Sequence, residues 1–190
     1  MEKTYFEHEA FEKIDYSKDP LPKGNYENCI FENCIFQNAD LSSIHFSECN
    51  FVGCNLSMAN IRQTSLVNII FRECKLLGWH FENCNKFLFS VQFENCILNL
   101  ASFYQLPLKK MHCKNCSFQE VVFAECDISE SVFENCDFAN AIFEKSILEK
   151  ADFRTSYNYA INPEINKIKG AKFAIAGVRG LLVQYDIEVE

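Results

Sequence analysis

The 190-residue chain is poor in what usually punctuates or activates a globular fold: it has six glycines, four prolines, one tryptophan and four histidines. There is no Gly-rich phosphate loop, no GxSxG nucleophile turn and no HExxH pair, and His8, His45, His80 and His112 are scattered. No catalytic residue and no cofactor is expected. Uncharged apolar runs fall far short of the roughly 20 residues of a membrane span. The start MEKTYFEHEAFEK has neither a basic nor an apolar leader region, so a cytoplasmic location is expected. An excess of basic charge is also missing: 18 Lys and Arg face 26 Asp and Glu, a net charge of −8. That argues against direct nucleic-acid binding and leaves room for a basic partner, or for a surface that imitates an acidic one.

What the chain has is a repeat. Residues 25–41 read NYENCIFENCIFQNADL, in which Glu-Asn-Cys-Ile-Phe occurs twice in succession. A period of five fits neither a helix nor a strand. Stepping by five from Phe6 meets an apolar residue every time as far as Phe81. The register then slips by two at Cys84-Asn85 and is expected to resume at Leu88, then Phe93 and Leu98, and on to Phe153. Two residues before many centres stands a small or compact side chain, such as Cys29, Cys34, Ala39 or Ala101. One large and one small inward residue in five lets the chain turn a corner per quintet and close a square in 20 residues, with coils stacked at about 4.8 Å. Phe103, Phe123 and Phe143 should stack on one face, and Leu88, Leu108, Ile128 and Leu148 on another.

Eleven cysteines, an odd number, fit reduced cytosolic thiols better than a disulfide framework. Cys34, Cys54 and Cys74, and likewise Cys96, Cys116 and Cys136, are 20 apart, so geometry alone leaves bridges open. Cysteine also suits a small buried slot. Zinc needs four convergent ligands, whereas these thiols form straight columns, so no metal is expected.

The pattern resembles the pentapeptide-repeat family, whose signature A(D/N)LXX stands here as Ala39-Asp40-Leu41 and Ala151-Asp152-Phe153. The resemblance implies an all-β fold, a right-handed quadrilateral β-helix of about seven coils over residues 1–155. Residues 156–190 then read as a polar connection, a last quintet at Ala171-Lys172-Phe173 and a C-terminal cap. Val178, Leu181, Leu182 and Tyr185 are spaced like one face of a short helix, weakened by Gly177 and Gly180, and Ile187 and Val189 alternate like a final strand. The run GAKFAIAGVRGLLVQYDIEVE is similar to the C-terminal segment of Qnr-type quinolone-resistance proteins. That resemblance implies a homodimer through Val178, Leu181, Leu182 and Tyr185, and a rod that imitates DNA and engages DNA gyrase or topoisomerase IV, with protection from quinolones. The long loops of several Qnr-type proteins have no counterpart here.

A solid rod leaves function to its outside. Residues 115–140 contain no Lys or Arg, and Glu120, Glu125, Asp127, Glu130 and Asp137 are expected on an acidic outer face. This is either a DNA-like array or the ordinary solvation of an acidic protein. Phe87, Phe89, Ile97, Leu100 and Tyr104 are expected to point outward in a stretch whose only acid is Glu94. They make an apolar patch suited to a different protein partner, unless the register slip turns Phe87 and Phe89 inward.

Overall fold

A large residue at every fifth position and a small one two before it leave each quintet room for only a short extended stretch between corners. The computed structural model describes residues 4–188 and shows this arrangement over most of them. On face one, β1 (Thr4–Glu7), β3 (Gly24–Glu27), β5 (His45–Ser47) and β7 (Ser65–Val67) pair in parallel. On face two, a seven-stranded parallel sheet joins β2 (Ala10–Glu12), β4 (Ile30–Glu32), β6 (Asn50–Val52), β8 (Ile69–Arg72), β9 (Val91–Glu94), β10 (His112–Lys114) and β11 (Val132–Glu134). Faces three and four are held by single bridges, such as Ile35 to Asn55 to Lys75 and Ser102 to Val122 to Ile142. The result is the right-handed quadrilateral β-helix, with about seven coils.

The corners explain residues that the apolar period leaves unaccounted for. The residue two after most centres is left-handed, as at Asn28 (φ 52°), Asn33 (φ 53°), Asn95 (φ 54°) and Asn135 (φ 52°). Asparagine tolerates that region better than most side chains. Asn115 donates to Asn95 at 2.9 Å and Asn135 donates to Asn115 at 3.3 Å, one coil to the next. The residue before a centre does a second job: Asp40, Asn55, Asp127, Asp137 and Asp152 each accept the backbone N–H two residues on, at 3.0–3.2 Å. These side-chain turns are the physical content of the D/N in the signature.

Stacked rings fill the interior. Phe123 lies 5.2 Å from both Phe103 and Phe143, with planes within 8°. Trp79 occupies a small slot between Ala59 and Ala101 in its column, fully buried, and its indole N–H donates to the Leu56 carbonyl at 2.6 Å. All eleven cysteines are buried and free.

The slip lies later than Cys84-Asn85. Cys84 still fills a buried slot, and Asn85 still pairs 20 residues back with Ser65, whereas Val91 pairs 22 back with Ile69. The two extra residues therefore fall within 86–90, and that stretch bulges from face one. Leu88 is not a core centre: it takes a left-handed corner (φ 55°) at 64% exposure, and Phe89 turns inward in its place, 6.1 Å from Phe81. Leu108, Ile128 and Leu148 of the same column are buried.

The repeat also continues past residue 155. Tyr157, Lys167 and Lys172 bridge to Asp137, Ile147 and Asp152, Tyr159 and Ile161 are buried, and Phe173 stacks on Phe153 at 5.6 Å. Short of the Ala171-Lys172-Phe173 quintet the coil lacks the usual slot residue: Asn166 fills a slot by accepting the Ser146 N–H and donating to the Phe143 carbonyl, both at 2.9 Å.

The cap is built from 3-10 turns, Ile175–Leu181 and Val183–Tyr185, and not from an α-helix. Residues three apart eclipse in a 3-10 helix, so Gly177 and Gly180 present one bare face to Tyr159. A Cβ would fall 1.8 Å from the Tyr159 hydroxyl oxygen at Gly177 and 2.0 Å from the Tyr159 carbonyl oxygen at Gly180. Ile187 lies in no strand, and Val189 lies outside the described residues.

Candidate interaction surface

The expected acidic residues do not share one face. Glu120, Glu125 and Glu130 stand at three successive left-handed corners of one coil (φ 57°, 53° and 59°), while Asp127 is on face one and Asp137 on face three. Asp127 and Asp137 are also occupied structurally, by the side-chain turns to Ser129 and Ala139. Burial works against ionisation of Asp127, but the Ser129 hydroxyl and amide, with the Lys109 ammonium 3.2 Å away, outweigh it and hold the carboxyl below its usual range. Glu130 lies between Lys110 and Lys150, at 3.9 and 3.8 Å. Glu125 accepts from Gln105 at 2.8 Å and from Tyr104 at 3.3 Å. The single acidic face is thus replaced by carboxylates distributed around the rod and partly answered by neighbours one coil away.

The apolar patch divides in the same way. Phe87 and Leu88, at 74% and 64% exposure, project from the bulge on face one. Ile97 bridges to Lys75 and Ser117 on face three, across the rod, and Leu100 and Tyr104 belong to the corners on either side of face four. Phe89 is turned into the core. The pentad count places Leu88 in the interior and so outside the expected patch; the inserted pair of residues is the sequence signal that turns it outward.

Beside the bulge, face one carries a notch of about 730 Å³ lined by Ser43, His45, Gln63, Ser65 and Asn85, with Phe87 and Leu88 as its wall. At the C-terminal end, Val178 and Tyr185 are exposed, whereas Leu181 packs against the core and Leu182 is half-buried. Ile175, at 93% exposure, is the most open apolar residue of the cap. Tyr185 donates from its hydroxyl to Glu164 at 2.8 Å, which ties the cap to the coil beneath it.

Six of the eleven thiols form one column across the slip. Cys74 and Cys96 are brought into register by the 22-residue step, which joins the two expected columns into one of six, from Cys34 to Cys136. Their sulfurs donate to backbone carbonyls, as Cys54 does to Phe31 at 3.3 Å and Cys74 to Phe51 at 3.3 Å. Burial pushes the Cys49, Cys84 and Cys126 thiols up to about 12, which keeps them protonated and poorly nucleophilic. Among the described residues no group of His, Cys, Asp and Glu converges on a metal position, and no helix is long and apolar enough to cross a membrane.

The family model for a pentapeptide repeat region matches residues 25–86 and 86–158, which is most of the chain. The chain belongs to the pentapeptide-repeat family. No curated protein matches it significantly. Among solved structures, this pentapeptide-repeat rod is similar to a trypsin-treated variant of QnrB1, a plasmid-mediated fluoroquinolone resistance protein: 20% identity, 99% of this chain and 98% of that one, TM-score 0.49. It is also similar to HetL from the cyanobacterium Nostoc sp. strain PCC 7120, a pentapeptide repeat protein involved in heterocyst differentiation regulation: 14% identity, 91% and 85% coverage, TM-score 0.48. Both likenesses concern the fold alone.

Proposed function

We propose that this pentapeptide-repeat protein acts without catalysis, as a rigid rod that binds another protein through its outer surface. The observation that carries this reading is the filled interior. Rings such as Phe103, Phe123 and Phe143 stack without a channel, so chemistry is confined to the outside, where side chains are spread in columns and do not converge as in a catalytic cleft. The free thiols fit a cytoplasmic setting.

A type II topoisomerase is the first partner to test. The net charge of −8 and the projecting Glu120, Glu125 and Glu130 favour it. The dispersal of the other carboxylates favours a partner that reads shape and apolar contacts. In a supercoiling assay with DNA gyrase, with and without a quinolone, a topoisomerase binder inhibits the enzyme or relieves drug-induced cleavage, more weakly at high salt and after Glu125→Lys. No effect at large molar excess removes that partner and leaves the general scaffold reading. A homodimer through the C-terminal cap is part of the same proposal, now centred on Ile175, Val178 and Tyr185, with Leu181 committed to the core. Sedimentation of Val178→Glu tests it, and an unchanged mass refutes it.

A further inference from the structure

The bulge at 86–90 and the notch beside it lie next to each other along the rod on face one. The notch spans the two coils that contain Ser43–Ser47 and Gln63–Val67 side chains, and the projecting Phe87 and Leu88 lie on its C-terminal side. A two-fold axis lying in the plane of the face and perpendicular to the rod, placed between a knob and a groove, turns the second copy antiparallel and carries each knob onto the other copy's groove. That is the geometry of an isologous contact, in which one patch meets itself.

Charge sets a strict condition on such a contact, because a patch carrying net charge repels its own copy. This chain carries −8 overall, yet the notch and its wall contain no Asp, Glu, Lys or Arg. The lining is serine, glutamine, asparagine and histidine around apolar residues, able to give and accept hydrogen bonds without a fixed charge. Glu48, Arg62 and Lys86, which border it in sequence, are of mixed sign. The exposed Phe87 ring matches the aromatic anchors that dominate interfaces, which work best when desolvated in a pocket.

We propose that a second copy of this chain seats on face one with the rods antiparallel, Phe87 and Leu88 of each copy entering the notch of the other. This contact is separate from the C-terminal one proposed above. The two are distinguished by working on a Val178→Glu background, in which only the lateral contact remains.

The test is sedimentation of the full chain carrying Val178→Glu up to about 1 mM, the edge of weak association. A monomer–dimer equilibrium is expected, weakened at least tenfold by adding Leu88→Glu or Phe87→Ser, in line with the loss of an interface anchor. Both positions are exposed, so unchanged circular dichroism confirms that the variants fold. Photocrosslinking from p-benzoylphenylalanine in place of Leu88 provides a second readout, with covalent dimers joined to peptides spanning residues 43–67. A monomer at every concentration, an equilibrium insensitive to both substitutions, or crosslinked dimers joined elsewhere would each overturn the proposal.

Discussion

Phe123→Ala probes the stacked core where it is most tightly constrained. The ring is fully buried, with stacked partners 5.2 Å away on both sides and tilted neighbours Phe118 and Phe138 at 5.6 and 6.0 Å. Large-to-small changes of this kind cost about 3–5 kcal/mol, and more where the surroundings cannot collapse. The coil spacing is held by the backbone ladder, Phe103 donating to Val122 and Phe123 to Ile142 at 2.8 Å each, so the neighbouring rings cannot close the gap. The expected loss is therefore in the upper half of that range, about 4–5 kcal/mol. Phe6→Ala is the control. Phe6 is half-buried in the first coil and stacks on Tyr26 alone, at 4.6 Å, so its loss should be about 1–2 kcal/mol. Urea unfolding followed by the fluorescence of the one tryptophan, Trp79, and by circular dichroism reads both. If Phe123→Ala shifts the midpoint no more than Phe6→Ala, the ring stack is not what holds the coils, and the reasoning fails.

Other consequences are as direct. Native protein should react slowly with a thiol reagent, with all eleven cysteines appearing on denaturation, because each is buried; rapid native labelling of several thiols would contradict the buried columns. Gly180→Ala should cost about 1–3 kcal/mol by overpacking against the Tyr159 carbonyl. Its effect should appear as faster amide exchange at Ile161, whose N–H is bonded to the Gly180 carbonyl at 2.9 Å. Unchanged exchange there would refute the docking of the cap. Asp40 is held at about 2 by the Lys23 ammonium and Ser42. A lowered carboxyl contributes stability that is present above its unfolded pKa and lost as pH falls towards the folded value, here between roughly pH 4 and 2. Because the pair is largely exposed, screening limits the contribution to under about 1 kcal/mol. Asp40→Asn should flatten that part of the acid-stability profile, and an unaltered profile would count against the pairing.

The sequence by itself determined the fold, because a five-residue period with one large and one small inward position admits a square coil and little else. Phe123 and Cys54 could be assigned inward by counting. Counting failed wherever the backbone departed from the count, since a pentad rule has no information about which residues an insertion ejects. By the count Leu88 is inside, whereas in the structure it is outside, Phe89 the reverse, and the coil beyond residue 155 shows in the sequence only at Ala171-Lys172-Phe173, because Asn166 replaces an apolar or small slot residue by hydrogen bonding. The surface was less legible for a related reason. Neighbours on the outside of the rod are 20 or 22 residues apart, so adjacency in the chain says little about adjacency in space. Glu120, Glu125 and Glu130 look like one acidic stretch and stand at three different corners, whereas Ser43, Gln63 and Asn85 look unrelated and line one notch. Only the closing of the coils, and the two extra residues that break their register on face one, decided which side chains meet.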